Sequence, residues 1–322
     1  MKILPYLKLV RVQNLVIIVL TMYMMRYFVV QPLLVMKGFS LQFSSIHFLL
    51  LVLSTVFITA AGYVINDYFD RKTDMVNHPE EVIIGKVVNR RKAMALHLVF
   101  NALGVGLGVY LSLYIQIFSL AVIFVLIAGL LWFYSTSYKR QFLVGNIIVA
   151  VLTALVPIMV PLFEIPLLNK EYNQVLTELG MDFSFLLRSV GIFALFGFIT
   201  TLMREIIKDS EDFEGDAAYG RNTVPIMLGI KNTKIIILSI DVLFIIGVLI
   251  TYIKLKSFAI PDLFDQITMI YFVVGLVIPS ALLGFKIYSA GSKKDYHFSS
   301  QLVKIIMLIG LCYSFVIKYF LF

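Results

Sequence analysis

Nine apolar runs, each long enough to cross a lipid bilayer, limit what this chain can fold into more than any other feature. They fall near 12–36, 46–66, 95–115, 117–136, 142–163, 185–207, 235–253, 267–288 and 301–321. A hydrocarbon core takes roughly 20 consecutive apolar residues as a helix, because inside lipid every backbone N–H and C=O must be satisfied within the segment. Hydrophobic residues are 60% of the 322 and charged residues only 14%, where soluble domains carry about 25% charged residues. The chain therefore reads as an all-α polytopic membrane protein of about nine helices in one bundle, with 1–322 as a single domain. The first run follows Met1–Arg11 without a small-residue cleavage site, so it reads as a retained helix and not a signal peptide. The one cysteine, Cys312, rules out a disulfide framework or a Cys-based zinc site.

Lysine and arginine placement gives the orientation. With the N-terminus in the cytoplasm, only Arg26, Lys37, Lys170, Arg188, Lys254, Lys256 and Lys318 fall elsewhere, and the other 20 of 27 lie on inner segments. That excess is the positive-inside pattern. It predicts a multi-pass protein of the cell membrane with its N-terminus inside and its C-terminus outside. The net charge of +8 then reports topology, and no nucleic-acid partner is expected. The two long inner segments, about 67–94 and 208–234, follow helices two and six, and chemistry is sought there. The outer segment 164–184 is mixed, with Glu164, Glu171, Glu178 and Asp182.

An acidic pattern occurs twice at those inner helix ends. Asp67, Asp70 and Asp74 follow helix two, and Asp209, Asp212 and Asp216 follow helix six. Both triplets have the spacing i, i+3, i+7, which puts all three on one face if the helix continues through them. Asn66 adds an amide four residues before Asp70. A single acidic patch at a helix end is ordinarily a solvated cap, but repetition at one spacing and one membrane face argues for function. Like charges crowded at a membrane boundary are costly unless paired. Mg²⁺, a hard cation bound by a few carboxylates plus substrate phosphates, suits such a site. Two clusters facing each other could hold Mg²⁺ ions with a diphosphate between them.

These residues resemble a known family. Asn66-Asp67-x-x-Asp70-x-x-x-Asp74 is similar to the first Asp-rich motif of the UbiA superfamily of intramembrane prenyltransferases, and Arg204 through Asp216 to the second. Gly220-Arg221-Asn222-Thr223-Val224-Pro225 resembles the tail that follows it, and the likeness extends from Arg11–Asn14 through Gly145-Asn146. The second block is most similar to the digeranylgeranylglyceryl phosphate synthase branch. After the first motif the family usually reads Asn-Arg-Pro-x-Arg-Pro, whereas this chain reads Asn77-His78-Pro79-Glu80-Glu81, with two positive charges and one proline missing.

The resemblance implies Mg²⁺-dependent transfer of a prenyl group from an allylic diphosphate, with geranylgeranyl diphosphate favoured. The implied acceptor is lipophilic, (geranylgeranyl)glyceryl phosphate, and the product an ether lipid. Asn66, Asp67, Asp70, Asp74, Asp209, Asp212 and Asp216 would be the metal set, with Asp67, Asp70, Asp209 and Asp212 central to catalysis. Arg11, Asn14, Tyr134, Lys139, Arg140, Arg204 and Lys208 would bind diphosphate or acceptor. Tyr63, Tyr68, Phe69, Trp132, Phe133, Tyr134 and Phe213 are candidates to shield a carbocation. The prenyl tail, and membrane lipid as a partner, would occupy apolar surface between helices. Prenylation of an aromatic acid is the alternative within the class. A cation transporter is the alternative outside it, though transporters place such carboxylates near the midplane on broken helices. Gly104-x-Gly-x-Gly108 reads as helix packing, and Pro157, Pro161 and Pro166 as a kink or end of helix five.

Overall fold

The computed structural model describes residues 3–180, 182–256 and 262–321. Among them nine helices are long and apolar enough to span a membrane. They are α1 Val12–Met36, α2 Ser45–Asn77, α3 Arg90–Ile115, α4 Ser119–Thr136, α5 Val144–Glu171, α6 Ser184–Glu211, α7 Val224–Lys256, α8 Asp262–Ser289 and α9 Lys293–Tyr319. Starts are set by local polar groups: Ser44 caps α2, Asn89 caps α3, and Ser292 with Asp295 forms a reciprocal capping box on α9. Many large apolar side chains on the bundle remain exposed, as expected of a surface solvated by lipid and not by water.

Several helices outrun their apolar runs. The first motif does not follow α2 but lies within it, because α2 continues to Asn77. α7 starts at Val224 and is broken at Gly229, which adopts a positive φ of 77°. The polar segments between spans therefore shrink to 78–89 and 212–223. α5 neither ends nor breaks at its prolines but runs as one helix through Pro157, Pro161 and Pro166 to Glu171. Glu164, expected in an outer loop, is buried inside α5. In α1 and α8 the helix widens to π geometry at Met25–Val30 and Tyr271–Val277. Pro32 and Pro279 lie just beyond. A proline ring crowds the carbonyl four residues back, and a wider turn relieves that contact.

Two apolar cores hold the bundle. One joins α1 through α4 to the second half of α5 and the first half of α6, through residues such as Met22, Phe48, Phe124 and Phe163, and the other joins α6 to α9 through Met203, Phe244, Leu283 and Val303. The glycines of α3 serve close approach as expected. A methyl at Gly108 would stand 2.3 Å from the Phe124 ring, and one at Gly104 would stand 2.6 Å from Ile58. At the end of the bundle opposite the motifs, Arg26 and Glu164 pair at 3.5 Å, both fully buried. Arg26 also donates to the Phe43 carbonyl, and Glu164 accepts from the Phe43 N–H at 3.0 Å. This pair ties α1, α5 and the 37–44 connection together.

Candidate active site

α2 presents the first motif as one stripe, since the helix continues through Asp67, Asp70 and Asp74. Asp67 accepts from Arg11 Nη2 at 3.0 Å. Arg11 reaches it from a left-handed backbone conformation, φ 51° and ψ 55°, between the short helix Leu4–Leu9 and α1. Such a conformation is uncommon outside glycine and concentrates at functional positions. The Arg11 guanidinium also lies 4.9 Å from the Tyr63 ring centroid. Asp70 is buried and takes two cations, Lys139 Nζ at 2.7 Å and Arg221 Nη2. Lys139 is 3.2 Å from Asn66 Oδ1 as well.

The second motif departs from the expected stripe. α6 ends at Glu211, Asp212 has φ −94° and ψ 11°, and a short helix Phe213–Ala218 sets off anew. The bend leaves Asp209 on α6, where Asn146 of α5 donates to it at 2.8 Å. Asp216 is carried to the tip and pairs with Arg221 at 3.1 Å. Asn77, the last residue of α2, donates to the Asp212 carbonyl at 3.3 Å and accepts from the Gly215 N–H at 3.0 Å. A methyl at Gly215 would fall 2.3 Å from the Asn77 side chain. His78 Nε2 sits 2.9 Å from Asp212 Oδ1. The two motifs are thus docked on each other, with Arg221 spanning Asp70 of one and Asp216 of the other.

Electrostatics follows from that crowding. Burial pulls the Lys139 ammonium below its ordinary pKa, although Asp70 opposes the shift. Burial also works against the charges on Arg11 and Arg221, but Asp67 for the first, and Asp70 with Asp216 for the second, more than offset it and hold both guanidiniums protonated. Asp216 is pushed up to about 6, chiefly by burial and then by its acidic neighbours, with Arg221 pulling the other way. The hydrogen bond to Asp212 raises His78.

The donor set fits a divalent cation held jointly with phosphate oxygens. Asp216 Oδ1 is a buried oxygen that meets Arg221 Nη1 as an ion pair without hydrogen-bond alignment, and six carboxylates here exceed the cations that meet them. Among the described residues the aspartates do not close into a group of three with ligand oxygens within 4.8 Å of one another. That spread suits Mg²⁺, which keeps several waters and binds through one or two carboxylates plus phosphate. The compact group is His78, Glu80 and Glu81, at the rim.

Most residues singled out in the sequence converge here. Tyr134 lies within electrostatic reach of Glu205, Asp70 and Asp209. Arg204 and Lys208 turn to Glu205, at 3.2 and 4.0 Å. Asn14 donates to Tyr63 Oη at 3.2 Å. Arg140 does not join: its side chain is exposed, it makes no ion pair among the described residues, and only its carbonyl is used, by the Asn222 N–H at 2.9 Å. Phe133 points outward at 53% exposure and Tyr68 stacks under Arg90, so neither lines the cluster. Phe69 packs edge-on against Trp132, at 5.9 Å between centroids. Arg221, Asn146, Asn77, His78 and Glu205 are site residues that the sequence reading did not select. All five sit within or beside the quoted motifs, and that adjacency was the available signal.

Comparison with known proteins bears on the fold and the family. The profile of the UbiA prenyltransferase family matches residues 33–297. The digeranylgeranylglyceryl phosphate synthase of Methanosphaera stadtmanae is 28% identical over 260 residues, 79% of this chain and 82% of that protein. That of Methanothermobacter thermautotrophicus is 32% identical over 230 residues, covering 70% and 68%. A solved digeranylgeranylglyceryl phosphate synthase structure has the same fold, with a TM-score of 0.63 at 24% identity and 98% of both chains covered. A UbiA homologue from Archaeoglobus fulgidus, solved with GPP and Mg²⁺, gives 0.57 at 16% identity over 98% of this chain and 99% of that one. With the fold and the family profile in agreement, this chain belongs to the UbiA prenyltransferase family and is a membrane-embedded prenyltransferase.

Proposed function

We propose that the protein transfers a geranylgeranyl group from its diphosphate to geranylgeranylglyceryl phosphate, forming an ether lipid, with Mg²⁺ bound. The observation that carries the reading is Arg221 bridging Asp70 and Asp216, which joins the two motifs into one charged cluster. The relatives named above, several of them digeranylgeranylglyceryl phosphate synthases, support the acceptor. In the reaction the allylic C1–O bond breaks with its electron pair leaving on diphosphate. The acceptor hydroxyl oxygen bonds to C1, and its proton is lost to solvent.

Asn66, Asp67, Asp70, Asp74, Asp209, Asp212 and Asp216 would hold the metal. When bound, Mg²⁺ neutralises charge developing on the leaving diphosphate. Lys139, Arg221 and Arg11 supply fixed positive charge beside it, with arginine suited to paired phosphate contacts. Asn146 orients Asp209, and the Asn77–Gly215 contact keeps the motifs in register. The apolar groove between α5 and α6, lined by Val151, Ala154, Leu155, Ile158, Ala194 and Phe198, suits a prenyl tail running from the Asn146–Asp209 pair toward the opposite face. The site faces the cytoplasm of a cell-membrane protein on the positive-inside argument, and 1–322 acts as one domain.

The test is turnover by the purified protein with radiolabelled geranylgeranyl diphosphate and Mg²⁺, offered geranylgeranylglyceryl phosphate or 4-hydroxybenzoate. A diether product abolished by EDTA is expected. Label on the aromatic acid instead would overturn the acceptor assignment.

A further inference from the structure

Lys304 has no place in the cluster described above, yet it lies half-buried and well inside α9. It is eleven residues into α9, about 16 Å from the helix start at 1.5 Å per residue. Arg204 lies seven residues before the end of α6, about 10 Å in by the same measure. Positive-inside anchoring acts at membrane surfaces and does not account for charges at this depth. Ionisable groups there are costly and mark substrate or ion paths.

Their surroundings are cation-rich. Lys304 Nζ donates to Asn14 Oδ1 at 3.3 Å, and Asn14 in turn donates to Tyr63. No carboxylate lies within ion-pair distance of Lys304 among the described residues. Arg204 is near enough for its charge to act on Lys304. Arg204 spends one nitrogen on Glu205, and its Nε is buried without a hydrogen-bond acceptor. At ion-pair distance Arg204 and Lys208 share the single carboxylate Glu205 and Lys304 has none among the described residues, with Asp209 acting on Lys208 from further off, which leaves the positive charges of Arg204 and Lys304 only partly compensated. A phosphomonoester carries about −1.5 to −2 at neutral pH and would balance them.

We infer that Lys304, Arg204 and Asn14 form a second anion subsite, which receives the phosphomonoester of the acceptor. The inference rests on the acceptor reading proposed above. The diphosphate of the donor belongs with the aspartates, since it arrives with metal and needs carboxylates to hold that metal. A cation-rich position whose nearest carboxylate, Glu205, is already paired takes an anion without metal. Asn14 contributes no charge and holds the ammonium in place through its carbonyl oxygen.

The experiment compares wild type, Lys304→Gln and Lys304→Arg in steady state. Donor concentration is varied in one series. In the other the acceptor is varied, as geranylgeranylglyceryl phosphate or as the same alcohol without phosphate. Losing one charge-assisted contact should raise the acceptor KM about 10- to 100-fold. Preference for the phosphorylated acceptor should fall by the same factor, while the donor KM moves less than about twofold. Lys304→Arg should recover most of the loss, which also reports that the position tolerates folding. A change confined to donor KM, or an intact preference for phosphate, would overturn the subsite. A separate measurement distinguishes its failure from that of the acceptor reading: stabilisation of metal-free protein by glycerol 1-phosphate in a thermal shift. If wild type transfers to no glyceryl acceptor but is stabilised, and Lys304→Gln is not, the acceptor reading falls and the anion subsite stands. If neither protein is stabilised, the subsite falls.

Discussion

Arg221 is the residue on which the two motifs depend. It is largely buried between Asp70 and Asp216 and also donates to Thr73 Oγ1 at 3.0 Å. Removing one member of a buried ion network strands the others, typically at a cost of about 3–5 kcal/mol. Arg221→Gln should therefore lower the unfolding midpoint in detergent, and it should also lower turnover by roughly 10²-fold or more, the scale for losing one preorganised donor to developing negative charge. Asp70→Asn and Asp212→Asn should abolish turnover while circular dichroism retains full helix content. A variant that keeps near-wild-type kcat would remove these carboxylates from the chemistry. Gly215→Ala tests the docking contact, because its methyl would enter the space of Asn77 at 2.3 Å. Turnover should drop and recover in part when Asn77→Ser makes room.

At the scale of elements, the far end of the bundle holds the helices that the site depends on without touching it. Glu164→Gln would leave Arg26 buried among Phe48, Tyr27 and the Phe43 carbonyl with no carboxylate. A loss of about 3–5 kcal/mol is expected for such an orphaned charge. It should be read as a lower thermal midpoint, with Mg²⁺-dependent diphosphate binding retained at low temperature. Loss of binding in protein that is still folded would mean that the pair communicates with the site. Gly108→Ala forces the α3–α4 contact apart at the Phe124 ring. Overpacking of this kind destabilises by about 1–3 kcal/mol, and it too should move the midpoint before it moves kcat.

For the whole molecule, orientation decides which compartment supplies the diphosphate. In a Cys312→Ser background, Glu80→Cys at the motif end and Asn173→Cys at the other end are both exposed positions. A membrane-impermeant maleimide should label Glu80→Cys only in inside-out vesicles and Asn173→Cys only in right-side-out ones. The reverse pattern would turn the protein over in the membrane. The bundle also explains why so compact a site can be built from distant segments. Arg11, Asp70, Lys139, Asp209 and Arg221 come from five parts of the chain, and helices fixed at both membrane faces bring those parts to one depth.

The sequence by itself determined the nine spans, since apolar length is a local property and lipid offers the backbone no alternative to the helix. It also determined the paired aspartate motifs, because their residue types and spacing are written in consecutive positions. Helix ends were less legible. α2 runs on to Asn77 through polar residues that hydropathy would exclude, held there by the Asn77 contacts to Asp212 and Gly215 and by the pairing of Arg11, Lys139 and Arg221 with its aspartates. Whether Arg140 or Arg221 would enter the site could not be read from a run of cations, as both are simply arginines after a helix. The tertiary structure decided it by turning Arg221 between two buried carboxylates and leaving Arg140 exposed. The same holds for Asn146 and Lys304, whose roles arise only when α5 meets α6 and α9 meets α1. Pairing of charges depends on distances across the bundle, and those are set by packing, not by order along the chain.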